Sequence, residues 1–250
     1  MITASFITAR LKSTRLPRKV LKPLGGRPMI AHLVERMKLS RRIDRIVLCT
    51  STVAEDDPLE AFAASAGIDC FRGDPDDVLA RLTAAAQRFA IDVVASCSAD
   101  NPFVDPVAMD ALIDFHVAGG YDYCRSTDLP WGAFTSTISG TAMAHACTIK
   151  DALDTEVWGG YFTETGLFRI GTLEHRDPAR CRPALRLTVD EPADFELAAQ
   201  IVERLGASGR TFGLDEIVAL FDRSPELAAI NAHVRQKTPL PIKVRSARAA

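Results

Sequence analysis

No Cys-x-x-Cys pair occurs in the chain. Its six cysteines, at positions 49, 70, 97, 124, 147 and 181, are scattered, and several sit in apolar runs such as Val47-Leu48-Cys49 and Ala95-Ser96-Cys97. They read as small buried hydrophobes in a reducing, cytoplasmic compartment, not as a zinc site or a disulfide framework. Long apolar runs are missing too: nothing approaches the roughly 18 residues of a membrane-spanning helix. The opening Met1–Ile7 is β-like and is followed at once by Arg10 and Lys12, an order unlike that of a signal peptide. Net charge is nearly absent, with 30 Lys and Arg against 32 Asp and Glu, a balance of −2. Without a basic excess no field draws nucleic acid or an anionic membrane, and neither is expected as a partner. The five histidines (32, 116, 145, 175, 233) show no metal-ligand spacing. Walker A and Gly-x-Gly-x-x-Gly patterns are also missing, which counts against a P-loop kinase and a dinucleotide dehydrogenase.

What is present is ordinary globular composition, 47% hydrophobic and 25% charged, enough for one large α/β domain. Strand-like and helix-like segments alternate through the first half. Strands are expected at 5–8, 43–50, 68–71 and 91–98. Helices are expected at 28–39, 58–66 and from an Asp74-Pro75 start to about Phe89, with another opening at Asp105-Pro106. This order predicts an α/β fold: a Rossmann-like, mostly parallel sheet with helices on both faces. The rhythm fails between about 121 and 182, which holds both tryptophans and all three tyrosines. That stretch reads as an insertion, either an acceptor pocket or the contact of a homodimer; Trp131, Trp158 and Tyr161 suit both. The pattern resumes with a strand at 185–189 and helices at 192–205, 214–221 and 225–236. One domain spans 1–236, and the basic stretch 237–250 is expected to be a mobile tail.

In sheets of this kind, ligands bind beyond the carboxyl ends of the strands. The loop after the first strand begins at Ala9 and carries Arg10, Lys12, Arg15, Arg18 and Lys19, five basic residues in ten positions, with Ser13 and Thr14 among them. By itself a basic run is as often a solvated face; its place after the first strand points to phosphate. Arginine offers a planar fork for phosphate oxygens, lysine a compact charge, and hydroxyls and backbone amides complete an anion cradle. Asp100 (in Asp-Asn-Pro) and Asp190 (in Asp-Glu-Pro) each close a predicted strand, 90 positions apart. Either alone suits a helix cap. As a pair beside the basic loop they fit Mg²⁺, which binds a few carboxylates together with phosphate oxygens.

The stretch from Ile7 to Ile30, with Ala-Arg-x-x-Ser-Thr-Arg-Leu-Pro-x-Lys at its centre, resembles the opening signature of the cytidylyltransferase family. That family includes the CMP-sialic acid and CMP-Kdo synthetases. The likeness is strongest to the SpsF-like branch of spore-coat polysaccharide biosynthesis. Arg72-Gly73-Asp74-Pro75 and the run from Arg186 to Glu196 extend it, covering about 1–125 and 185–205. The resemblance implies an enzyme that transfers CMP from CTP to a small anionic, sugar-like acceptor of the ulosonic acid type, releasing pyrophosphate, in surface glycan biosynthesis. It implies Lys19, Arg15 and Asp100 as catalytic residues. Ala9, Arg10, Ser13, Arg15, Lys19 and Arg72 would bind nucleotide, and Asp100 and Asp190 would hold Mg²⁺. The Glu-His-Val-Thr stretch of many SpsF-like proteins is replaced here by the segment from Asp154 to Glu164, which leaves the acceptor open. A nucleotide-sugar-dependent glycosyltransferase and a non-catalytic nucleotide-binding subunit of a glycan-assembly complex are the competing readings.

Overall fold

Val47 and Cys49 point to one side of their strand and Leu48 to the other, and both sides are apolar because helices cover both. The computed structural model describes residues 1–151, 155, 157–206, 209–236 and 241–245. In chain order the elements are β1 (Thr3–Thr8), β2 (Pro23–Leu24), β3 (Arg27–Pro28), α1 (Met29–Met37), β4 (Arg45–Ser51), α2 (Asp57–Ala66) and β5 (Asp69–Gly73). There follow α3 (Val78–Arg88), β6 (Val93–Ser98), α4 (Pro106–Gly119), β7 (Tyr123–Thr127), β8 (Ser136–Ser139), α5 (Gly140–Ile149), α6 (Gly160–Thr163), β9 (Ile170–Glu174), α7 (Pro192–Leu205) and α8 (Leu214–Arg223).

Seven strands form one sheet in the order β5-β4-β1-β6-β8-β7-β9. All are parallel except β8, which runs antiparallel to β6 and β7. The chain winds outward from β1 to β4 and β5, then crosses back to β6 on the other side of β1. The crevice beyond the ends of β1 and β6 is therefore the topological switch point, where such sheets bind ligands. One core packs α1, α2, α4, α7 and α8 against Ile7, Leu48, Ala95 and Cys97. The other packs α3, α5 and α6 against Phe6, Val47, Cys49 and Val94.

Several elements differ from expectation. The stretch 121–182, expected as an insertion, supplies β7, β8 and β9, three of the seven strands. The helix expected from Asp74 begins at Val78, capped by Asp77, whose carboxylate accepts from the Ala80 amide at 3.0 Å. The Asp74 carboxylate instead accepts from the amides of Asp76 and Asp77 (2.9 and 2.8 Å), closing a local turn before the helix. Residues 185–189 are extended but lie outside the sheet: only Trp131 bridges to Arg186. Leu187 and Val189 are buried in the helix-covered core, and a buried extended run has the same apolar signature as a strand. The helix expected over 225–236 is a short 3-10 turn, Pro225–Ala229. Beyond it the chain turns Asn231 inward.

Residues 241–245 depart from the expected mobile tail. The Lys243 carbonyl accepts from the Asp151 amide and the Tyr161 hydroxyl, and the Arg245 amide donates to Ile149. Residues 237–240 and 246–250, and Asp154 and Glu156 of the 154–164 segment, lie outside the described residues. Tyr161 is buried and Trp158 packs edge-on against Phe162, so both serve the core. Trp131, 45% exposed, faces solvent beside Phe134. Among the described residues no helix is long and apolar enough to cross a membrane.

Candidate active site

The loop leaving β1 is pinned at its base. The Ala9 amide donates to the Cys49 carbonyl (3.3 Å) and the Leu11 amide to the Asp56 carboxylate (2.7 Å), tying the loop to β4 and the start of α2. The Ser13 hydroxyl accepts from the Leu16 amide at 3.4 Å. Arg18 then adopts a left-handed backbone (φ 53°), uncommon for a residue with a Cβ. The turn Lys19–Leu21 follows directly and returns the Lys19 side chain to the sheet edge.

There Lys19 Nζ lies 3.0 Å from an Asp100 oxygen and 2.9 Å from an Asp190 oxygen. Arg15 reaches the same Asp190 oxygen at 3.0 Å and Glu191 at 3.4 Å. Asp100 hangs at the end of β6, where the Ala99 amide donates to the Thr8 carbonyl (2.9 Å). The Asp100 carbonyl accepts from the Val189 amide at 2.8 Å, so the backbones carrying the two aspartates are directly joined.

Asp190 is oriented from behind. Arg186 donates to its second oxygen at 2.9 Å and to both oxygens of Asp194 at 2.9 and 3.2 Å. Asp194, 2% exposed, also accepts from the Asp190 and Glu191 amides (2.9 and 3.0 Å) and from Asn231 (2.9 Å). These bonds satisfy the amides that open α7. Burial alone would raise the Asp190 carboxyl; Lys19, Arg15 and Arg186 outweigh it and hold the group below the ordinary carboxylate range. For Asp194 burial is again overcome, chiefly by Arg186, and its carboxyl is also lowered.

The loop between β7 and β8 presses on this segment. The Trp131 carbonyl accepts from the Leu187 and Thr188 amides at 2.7 and 3.1 Å. Gly132 has φ +95°, and a Cβ there would stand 2.5 Å from the Thr188 nitrogen, so only glycine permits the approach.

Of the residues singled out from sequence, Lys19, Arg15, Asp100 and Asp190 come together. Three others are engaged elsewhere. The Ala9 amide is spent on the sheet. Arg10 donates to the Pro75 carbonyl and lies 3.5 Å from Asp76. Arg72, expected at the nucleotide, is bound to α2 and β4: it donates to Asp57 (2.6 Å), Glu60 (2.8 Å) and the carbonyls of Ser51 (2.9 Å) and Val53 (3.0 Å). It sits on the edge strand, two strands from β1, where nearby carboxylates claim it first. Sequence reasoning gave no role to Arg186, Asp194 or Asn231. The four-residue spacing of Arg186, Asp190 and Asp194 was a readable signal for the first two; Asn231 had none.

A doubly covered sheet with a Lys–Asp–Asp cluster at its switch point defines a nucleotide-binding α/β protein, its cations and carboxylates suited to a metal-bound phosphate chain. The cytidylyltransferase signature matches residues 4–207. The chain is 31% identical over 229 residues to the spore coat polysaccharide biosynthesis protein SpsF of Bacillus subtilis, covering 89% of this chain and 95% of that one. It is 34% identical over 119 residues to a 3-deoxy-manno-octulosonate cytidylyltransferase of Anaeromyxobacter dehalogenans, covering 47% of this chain and 48% of the relative. Its fold superposes on that of a cytidylyltransferase from Leptospira borgpetersenii with a TM-score of 0.82 at 22% identity, covering 91% and 97% of the two chains. The chain belongs to the cytidylyltransferase family and is a CTP-dependent enzyme of that class.

Proposed function

We propose that this enzyme transfers CMP from CTP to an anionic, sugar-like acceptor of the ulosonic acid type, as a cytoplasmic homodimer working in surface glycan biosynthesis. The observation that carries the reading is the single cation, Lys19 Nζ, held between Asp100 and Asp190. Two carboxylates that already converge on one positive charge suit Mg²⁺, which takes few protein ligands and completes its shell with phosphate oxygens and water. When bound there, Mg²⁺ supplies charge neutralisation at the α-phosphate.

The acceptor oxygen forms a bond to the α-phosphorus of CTP, the bond from that phosphorus to the α–β bridging oxygen breaks, and pyrophosphate leaves. The acceptor hydroxyl gives its proton to solvent. Lys19 and Arg15 turn from the aspartates to the phosphate chain and meet the charge that builds on the leaving group. Asp100 and Asp190 would hold the metal, and Arg186 and Asp194 keep Asp190 in place. The names of the Bacillus and Anaeromyxobacter relatives support glycan assembly and an octulosonate-like acceptor.

The test is pyrophosphate release with each nucleoside triphosphate crossed against ulosonic acids, neutral sugars and phosphonates. Turnover with CTP and one acid sugar supports the reading. Turnover only with a nucleotide sugar as donor overturns it in favour of a glycosyltransferase. CTP binding without release from any acceptor overturns it in favour of a non-catalytic subunit.

A further inference from the structure

Arg36, near the end of α1, is 2% exposed. Its guanidinium lies over the rings of Phe212 and Phe103, 4.9 and 5.5 Å from their centroids. No group among the described residues accepts a hydrogen bond from it, and its Nε is sealed from solvent without a partner. Buried arginine is ordinarily paired, because an uncompensated charge in a protein interior is costly.

The neighbouring carboxylates are all committed elsewhere. Asp105 caps α4 through the Ala108 amide and receives Arg180 at 2.5 Å. Asp110 accepts from Ser40 and from the Arg41 amide. Glu216 binds Arg210 and the Gly213 amide. Burial draws the Arg36 pKa down to about 10, which leaves it charged at neutral pH.

The unpartnered cation lines a cleft of about 420 Å³ shared with Leu39, Arg41, Asp105, Val107 and Phe212. That volume suits a small organic molecule. Leu39 and Val107 are 55% and 62% exposed, an apolar rim beside the buried charge. None of these residues belongs to the Lys19–Asp100–Asp190 cluster.

We propose that this cleft is a second anion-binding site, in which Arg36 receives the carboxylate or phosphate of a small organic ligand whose apolar part lies against Leu39 and Val107. Two aromatic faces hold the guanidinium flat without using its N–H donors, leaving them for a planar or tetrahedral oxyanion.

The experiment is calorimetric titration of the full-length protein with hexanoate and with butyl phosphate. Wild type and Lys19→Ala bind at least one probe saturably with matching affinity, because the site does not involve the phosphate loop. Arg36→Met, which keeps the stem between the rings but removes the charge, binds at least about tenfold more weakly, as loss of a charge-assisted contact requires. Without ligand, Arg36→Met melts near wild type, since the thioether keeps the packing between the rings and the lost charge is buried without a hydrogen-bonded partner. Val107→Trp, on the exposed rim, weakens binding with Arg36 intact and serves if Arg36→Met does not fold. Tighter binding of hexanoate assigns a carboxylate ligand, and tighter binding of butyl phosphate a phosphate. Failure of both probes to saturate wild type by about 10 mM, weaker than any useful site, overturns the proposal. So does undiminished binding by folded Arg36→Met, undiminished binding by Val107→Trp, or loss of binding in Lys19→Ala.

Discussion

Lys19 and Asp190 are 171 positions apart in the chain, yet the ammonium of one stands 2.9 Å from the carboxylate of the other. Lys19 comes from the loop after β1, and Asp190 from an extended segment that the β7–β8 loop and the Asp100 carbonyl hold at the sheet edge. Three cations (Arg15, Lys19, Arg186) and four carboxylates (Asp100, Asp190, Glu191, Asp194) nearly balance within this cluster. In the proposed reaction, Mg²⁺ would take the place of these cations on the aspartates, and the triphosphate would take the place of the aspartates on the cations.

Removing either half of that exchange should stop the chemistry. Lys19→Ala and Asp100→Asn are each expected to lower pyrophosphate release at least about 100-fold, the scale of losing one charge-stabilising group. Their melting temperatures should stay near wild type, because both side chains remain partly exposed. A folded Asp100→Asn protein with near-normal turnover would falsify the metal role.

Metal removal should act on turnover and not on the fold. EDTA is expected to abolish pyrophosphate release while leaving the melting temperature of the CTP-free protein unchanged, since Lys19, Arg15 and Arg186 already offset the charge of the two aspartates. Addition of CTP with Mg²⁺ should raise the melting temperature by mass action, by more than either alone. A chelator-induced drop in stability without nucleotide would contradict this.

Asp194 positions Asp190, and its loss should register in both stability and rate. Asp194→Ala leaves the half-buried Arg186 with only Asp190 and Gln236 as partners and strips the acceptor from two amides at the opening of α7. The expected cost is about 3 kcal/mol, as for breaking one side of a buried ion pair. A fall in kcat should accompany it under conditions where the variant is still folded, and Asp194→Asn should recover part of the stability. Denaturant melts and initial rates measure the two effects separately.

Arg72 gives the opposite expectation. With its donors engaged by Asp57, Glu60 and two carbonyls of the β4 end, Arg72→Ala should leave KM for CTP within about twofold and lower stability only modestly, as partly exposed ion pairs do. A rise in KM of an order of magnitude or more would restore it as a nucleotide contact.

Acid sensitivity should come from buried histidines before the carboxylates. Burial holds His32, His116 and His175 below the ordinary imidazole value. The unfolded chain gains those protons near pH 6.5, whereas the folded protein takes them up only at lower pH. Stability is therefore full above about pH 6.5 and falls as pH drops towards the folded values. Melting temperature between pH 7.5 and 5.5 should decline, and His116→Asn, whose amide occupies the place of the ring Nδ1 that meets Thr137, should flatten the decline. The depressed Asp190 and Asp194 add a second loss only below about pH 4, where unfolded carboxylates begin to protonate.

Much of the fold could be read from local pattern. Short apolar runs marked β4 and β6, Asp105-Pro106 marked the start of α4, and Pro192 to Leu205 was recovered to the residue. In each case the signal and its cause lie within a few neighbouring residues. The strand at 185–189 failed because buried extended backbone needs apolar residues whether or not it joins a sheet. The segment 121–182 hid three strands because β8 reverses direction and its neighbours are short, so the alternating β-α rhythm stops while the sheet continues.

The site divides in the same way. That the cationic loop and Asp100 end up at strand ends follows from residue order, since each directly follows its own strand; Asp190 follows an extended segment outside the sheet, and tertiary contacts bring it there. Which cations reach the aspartates does not follow from residue order. Arg10, Arg15, Lys19 and Arg72 carry the same charge in similar surroundings along the chain, yet two reach the cluster and two are captured by closer acceptors, Pro75 and Asp76 for one, Asp57 and Glu60 for the other. Charge is a property of a residue type; which opposite charge it meets depends on distances that exist only once the backbone has closed, and Coulomb attraction at 3 Å outweighs any preference written in the local sequence.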